Sequence, residues 1–120
     1  MSEVNNILSL LESSLRAEHM RGQATANNIA NLETPGYRTL GVKFEEMLSK
    51  ALEGGGSAGA GEIKPEVFAA CETPVKENGN DVVLEREIGD MVKNTLRQKT
   101  YLRILSKKYS QLELAMNTRS

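Results

Sequence analysis

Apolar and small residues recur at spacings of three and four from the N-terminus: Val4, Ile7, Leu11, Leu15, then Gly22, Thr25, Ile29 and Leu32. This period predicts one amphipathic helix over about 3–32, with Glu18 interrupting its stripe. From Glu3 to Asn31 it would be roughly 43 Å long at the standard rise per residue. Gly22 costs about 1 kcal/mol against Ala in a helix interior, so either the helix weakens there or a neighbour packs tightly against the missing side chain. Tight packing is the expectation. Pro35-Gly36 then forbids further helix, and Thr34, preceding the proline, is pushed towards extended geometry.

The second long pattern is cleaner. Ile88, Thr95, Leu102, Tyr109 and Met116 stand seven apart, and Met91, Gln98, Leu105 and Leu112 follow the first four at an offset of three. A helix over about 82–117 with a heptad seam follows. Asp81 is its candidate N-cap, Glu85 and Glu87 sit near the positive end of its dipole, and Lys107 and Lys108 lie towards the negative end. Thr95 and Gln98 are polar within the seam, which lowers its pairing stability and can fix its register.

Between the helices, residues 33–41 read as a turn, and a short amphipathic segment over 42–52 begins Val42-Lys43-Phe44-Glu45-Glu46-Met47-Leu48. A glycine-rich flexible linker occupies 54–61, and an insert over 62–80 holds a short strand at Glu66–Ala70 and a tight turn at Asn78-Gly79. The fold class expected is mainly α. Two long terminal helices form an antiparallel, coiled-coil-like pair around a small irregular or β-containing insert.

Composition narrows the function. One hundred and twenty residues make one domain at most, and two long helices leave little chain for an independent core. A net charge of −1 and five aromatic residues, none of them Trp, supply neither the basic footprint nor the stacking platform of a nucleic-acid binder. Apolar runs of a few residues fall far short of the roughly 20 that span a bilayer. The start Met1-Ser2-Glu3-Val4-Asn5-Asn6 lacks the regions of a signal peptide, so no Sec-type export is expected. A single cysteine, Cys71, forms no intramolecular disulfide.

Candidate chemistry is thin. Cys71 and His19 are the only thiol and imidazole, with nothing nearby to tune either for nucleophilic catalysis. Glu85-x-Glu87 is too little to ligate a metal and reads as a pair of first-turn dipole partners. The glycine run lacks the Lys-Ser/Thr of a phosphate-binding loop. No catalytic residue, metal, cofactor or small-molecule substrate is therefore expected.

The most informative stretch is Ala26-Asn27-Asn28-Ile29-Ala30-Asn31-Leu32-Glu33-Thr34-Pro35-Gly36-Tyr37. Its residues serve either as a helix stop or as a contact surface, since small side chains admit another backbone and amides bond it as donors and acceptors. The segment resembles the N-terminal signature of the bacterial flagellar rod, hook and axial protein family, close to A-x-N-I-A-N-x-x-T-P-G-Y. Gly79-Asn80-Asp81-Val82-Val83-Leu84-Glu85-Arg86-Glu87 and Leu105-Ser106-Lys107-Lys108-Tyr109 are similar to the opening and middle of the C-terminal helix in the family's proximal rod proteins. Leu32-Glu33 departs from the small-plus-acidic pair commonest at that place.

The resemblance implies a structural subunit of the proximal rod of the flagellar basal body, assembling through its terminal helices into a helical tube that transmits torque. It implies export through the flagellar type III apparatus to a periplasmic location. The implied partners are other rod proteins, copies of the chain, and a membrane-embedded ring or export gate at the rod base. Expected interface residues are Asn28, Ile29, Asn31, Thr34, Pro35, Gly36 and Tyr37 in the signature, with Ile88, Leu102, Leu105, Tyr109, Leu112 and Met116 on the second helix. Another short rod protein of the same family, or an amphipathic helical adaptor or membrane-surface binder, is the alternative.

Overall fold

The computed structural model describes residues 2–53 and 63–118, so the glycine-rich linker expected at 54–61 lies outside the described residues. In chain order it comprises α1 (Ser2–Ala30), β1 (Leu40–Lys43), α2 (Glu45–Glu53), β2 (Glu66–Ala69) and α3 (Leu84–Asn117). The molecule measures 67 × 29 × 14 Å, a length set by its two long helices. They run antiparallel. Tyr109 reaches Glu12 near one end, Arg97 and Asn94 meet Glu18 in the middle, and Glu87 meets Asn28 at the other end.

The short amphipathic segment expected over 42–52 divides into a strand end and about two turns of helix. Leu40–Lys43 is a strand, and only Glu45–Glu53 is helical. The strand forms because β2, at Glu66–Ala69, offers it an antiparallel partner, in the register Leu40↔Ala69 to Lys43↔Glu66. Ala70 N–H donating to Thr39 C=O lengthens the ladder by one rung. Pairing outweighs helical periodicity here because four residues are too few for an isolated helix.

The apolar core is small and sits under α2, where Phe44, Ile63 and Ala17 are buried with Met47, Leu48 and Ala51 packed around them. Elsewhere among the described residues, polar side chains dominate the interior: Ser13, Glu18, Thr25, Asn28, Asn80, Asp81, Glu87 and Asn94 are all buried. Burial of this kind is tolerable only when each polar group has a partner. No buried side-chain N or O atom among the described residues lacks one.

The seam between α1 and α3 is correspondingly polar. Glu18 is 1% exposed; its carboxylate accepts from Arg21 and Arg97, and its carbonyl accepts from Asn94 Nδ2. It does not break the stripe of α1 but forms the centre of the contact. Gly22 lies against the same Asn94, where an added Cβ would stand 2.9 Å from Oδ1. The close packing expected at Gly22 is what the structure has.

As a seam against α1, the heptad of α3 needs correction. Glu87, Asn94, Gln98, Tyr101, Leu105, Lys108 and Leu112 are buried or half-buried, whereas Ile88, Met91, Thr95, Leu102, Tyr109 and Met116 are exposed. The sevenfold series of Ile88 is thus the shoulder of the seam, and only Gln98, Leu105 and Leu112 from the offset series lie in it. Gly22 and the hydrogen bonds of Glu18 and Asn28 turn α3 so that its polar residues face α1.

Candidate functional site

The signature stretch begins at the C-terminal end of α1, where Asn28 is 2% exposed. Its Oδ1 accepts from Leu40 N–H at 2.9 Å and from the Tyr37 hydroxyl at 2.8 Å. Its Nδ2 donates to Leu40 C=O at 3.0 Å and to Glu87 Oε2 at 3.1 Å. One amide therefore ties α1 to the turn, to β1 and to α3. Every hydrogen-bonding position of the Asn28 amide is filled within the subunit, which leaves nothing for a neighbour.

Asn31 is half-buried and works locally: its Nδ2 donates back to Asn27 C=O at 2.8 Å, and its Oδ1 accepts from the Thr34 hydroxyl at 3.1 Å. Asn80, fully buried, donates from Nδ2 to Asn31 C=O and to Thr34 C=O, both at 2.8 Å, and so pins the turn that follows α1 to the chain just before α3. Thr34, Pro35 and Gly36 are exposed. They form a turn closed by Tyr37 N–H donating to Thr34 C=O at 3.3 Å. Gly36 has φ +76°, as the third residue of a type II turn requires. Gly79, at φ +86°, backs onto it so closely that a Cβ there would lie 3.2 Å from Gly36 Cα.

Asp81 does not cap α3. The position before Leu84 is Val83, which makes no side-chain capping bond. The Asp81 carboxylate instead accepts from Thr39 N–H and the Thr39 hydroxyl, both at 2.6 Å, and from Arg38 Nε at 3.0 Å. Two hydroxyl and amide donors plus a guanidinium bind it better than the single N–H a cap would offer. Burial pushes the Asp81 pKa up, but the Thr39 hydrogen bonds and the Arg38 guanidinium outweigh it and hold the carboxyl below its ordinary value. Glu87 has the opposite balance. Burial, helped by the charges of Asp90 and Asp81, raises its pKa against the hydrogen bond from Asn28 and the charge of Arg86.

Ile29 is half-buried and Tyr37 holds Asn28, so the exposed part of the signature is the turn at Thr34, Pro35 and Gly36. Along α3 the structure leaves Ile88, Leu102, Tyr109 and Met116 on the surface, with Leu105 and Leu112 half-covered by α1. Val92, Leu96 and Leu114 widen this apolar surface beyond the predicted set. The residues that hold the signature in place, Asn80, Asp81, Thr39, Arg38 and Glu87, were not among the expected site residues. Asn80, Asp81 and Glu87 fall in the stretch Gly79–Glu87 that the family resemblance had singled out, whereas Arg38 and Thr39 carried no signal in the sequence.

His19 and Cys71 are both exposed, and no group of three or more His, Cys, Asp or Glu that could hold a metal ion occurs among the described residues. No described helix is long and apolar enough to cross a membrane. The arrangement offers contact surface and a fixed loop.

Comparison with known proteins points the same way. The model of the flagella basal body rod protein family matches residues 11–38, from mid-α1 through the signature turn. The chain is 22% identical over 130 residues to flagellar basal body rod protein FlgB of Bacillus subtilis (strain 168), covering 97% of each chain. It is 24% identical over 123 residues to the FlgB of Yersinia enterocolitica and 26% identical to that of Yersinia ruckeri, in each case over 88% of this chain and 89% of the relative.

Proposed function

We infer that this chain is a structural subunit of the rod of the bacterial flagellar basal body. The observation that carries the inference is the end-to-end likeness to FlgB proteins, combined with a rod-family match that falls on the signature stretch. A molecule of two long helices with apolar residues along its surface suits a role in which neighbours supply the missing cover. A tube requires heterologous contacts that do not close, so different faces of one subunit must meet different neighbours.

The exposed signature turn at Thr34, Pro35 and Gly36, flanked by Asn31 and Tyr37, would be one such face. The α3 shoulder of Ile88, Leu102, Tyr109 and Met116, with Leu105 and Leu112 beneath it, would be another. Asn28 and Ile29 would act through these faces by holding the turn. Assembly into the torque-transmitting tube with its own copies and other rod proteins follows on this reading. So do contact with a membrane-embedded ring or export gate and passage, unfolded, through the type III apparatus to the periplasm; these rest on the resemblance alone.

The test is to purify basal bodies from cells carrying a tagged chain and from cells deleted for it. The tagged chain is expected at the rod, and rods are expected to be missing without it. Complete rods in the deletion strain would overturn the inference.

A further inference from the structure

The outer face of α1 carries an open groove of about 580 Å³, floored by Met20, Ala26 and Ala30 and walled by Leu40 and Val67 from the strands. Its small side chains let another helix approach closely, and Val67 is 51% exposed beside it. The chain's own α3 does not fill it: α3 meets α1 at Glu18, Gly22 and Asn28, none of which lines the groove, and contributes no residue to its lining.

Resting on the rod-subunit reading, we propose that this groove seats the Leu102–Tyr109 ridge of α3 from a second copy of the chain. Leu102 and Tyr109 are about half exposed, and at the helical rise they stand about 10.5 Å apart. The stretch of α1 from Met20 to Ala30 is about 15 Å long, so both side chains fit along it. Charge agrees with the pairing. From Arg97 to Lys108, α3 carries Arg97, Lys99, Arg103, Lys107 and Lys108 with no acidic residue, and of these only Arg97 pairs with a carboxylate among the described residues. At the groove end α1 has no basic residue in its last turn to repel that ridge. Glu33 follows α1, and exposed Glu66 adjoins Val67, while Lys43 across the ladder is drawn over the Phe68 ring. Groove and ridge lie at different places on one chain, so each bound copy leaves a free groove or ridge for the next and the contact propagates.

The experiment uses two full-length chains in a Cys71→Ser background, one with Gln23→Cys in the groove and a tag, the other with Leu102→Cys on the ridge. They are co-expressed in the native cells, and basal bodies are purified and treated with a short bismaleimide. The expected result is a linked dimer of tagged and untagged chains, reduced when Arg103→Glu is added to the ridge chain. Links between like positions, or from Leu102→Cys to a different protein, would overturn the proposal. So would the presence of both chains in basal bodies without any link, which leaves the rod-subunit reading standing. Absence of both singly substituted chains from basal bodies, while the Cys71→Ser parent is present, would mean that groove and ridge are both needed for incorporation, as the pairing requires. Absence of the parent chain as well overturns the rod reading and the proposal together.

Discussion

Asn28 shows how a signature residue can be internal to its subunit. Replacing it by Leu would strand the Leu40 N–H and C=O and remove a donor from Glu87, at roughly 1–3 kcal/mol for each buried group left unpaired. Asn28→Leu is therefore expected to lower the denaturation midpoint of the purified chain, and an unchanged midpoint would contradict the geometry. Gly36 differs, because nothing lies within 4 Å of where its Cβ would be. The cost of Gly36→Val is conformational, about 1–2 kcal/mol for a side chain at positive φ, so it should also destabilise without any steric clash. Glu87 and Asp81 respond to pH with opposite sign. The folded-state pKa of Glu87 is raised above the ordinary 4.5, so burying it ionised costs stability as pH rises through that raised value. Glu87→Gln should then raise the melting temperature at pH 7 and give little gain at about pH 4, read by thermal scans at both; a constant gain would refute the charge origin. Asp81 is depressed below 3.8, so its contribution is present above that pH and fades as pH falls through the lowered value. Asp81→Asn should cost stability at pH 7 and progressively less in acid.

At the scale of elements, α1 and α3 adhere through few contacts of high specificity. Gly22 is the narrowest point, where Asn94 Oδ1 is held in place by Gln98 Nε2 and cannot simply swing away. Gly22→Val should therefore separate the helices and destabilise the pair, even though a glycine in a helix interior is itself worth about 1 kcal/mol less than Ala. Equal or greater stability of that variant would show that the seam is looser than the structure has it. Beyond Gln98 the insert no longer supports the pair, and α3 from Lys99 to its end meets α1 mainly through half-buried Tyr101, Leu105, Lys108 and Leu112 and the Tyr109–Glu12 hydrogen bond. Amide exchange on dilute protein is expected to be fast there and slower over 84–98. Uniform protection along α3 would mean that the helix is stable without neighbours.

The whole molecule is a slender pair of helices whose interior is largely polar and whose surface is rich in apolar side chains, the reverse of a self-sufficient domain. Such a distribution keeps the chain from gaining much by burial alone and leaves apolar area uncovered on its surface. The buried carboxylates, each held by specific donors, fix which faces remain outside. In the rod reading this division of labour is functional: the polar interior defines the subunit's shape, and the apolar exterior waits for the next copy.

The sequence by itself determined the two terminal helices, the end of the first before Pro35-Gly36, the short strand near Val67 and the likeness to rod proteins, and it favoured the close approach at Gly22. Each of these is written in local period, backbone-restricted residues or a contiguous motif. Tertiary structure alone decided that Leu40–Lys43 pairs as a strand, that Asp81 turns to Thr39 and Arg38 instead of capping α3, and that Glu18 and Glu87 are core residues. It also decided which side of the α3 heptad faces α1. The reason is physical: periodicity identifies an apolar stripe but cannot rotate it, because the rotation is set by hydrogen bonds between residues tens of positions apart, such as Asn28 with Glu87 and Asn94 with Glu18.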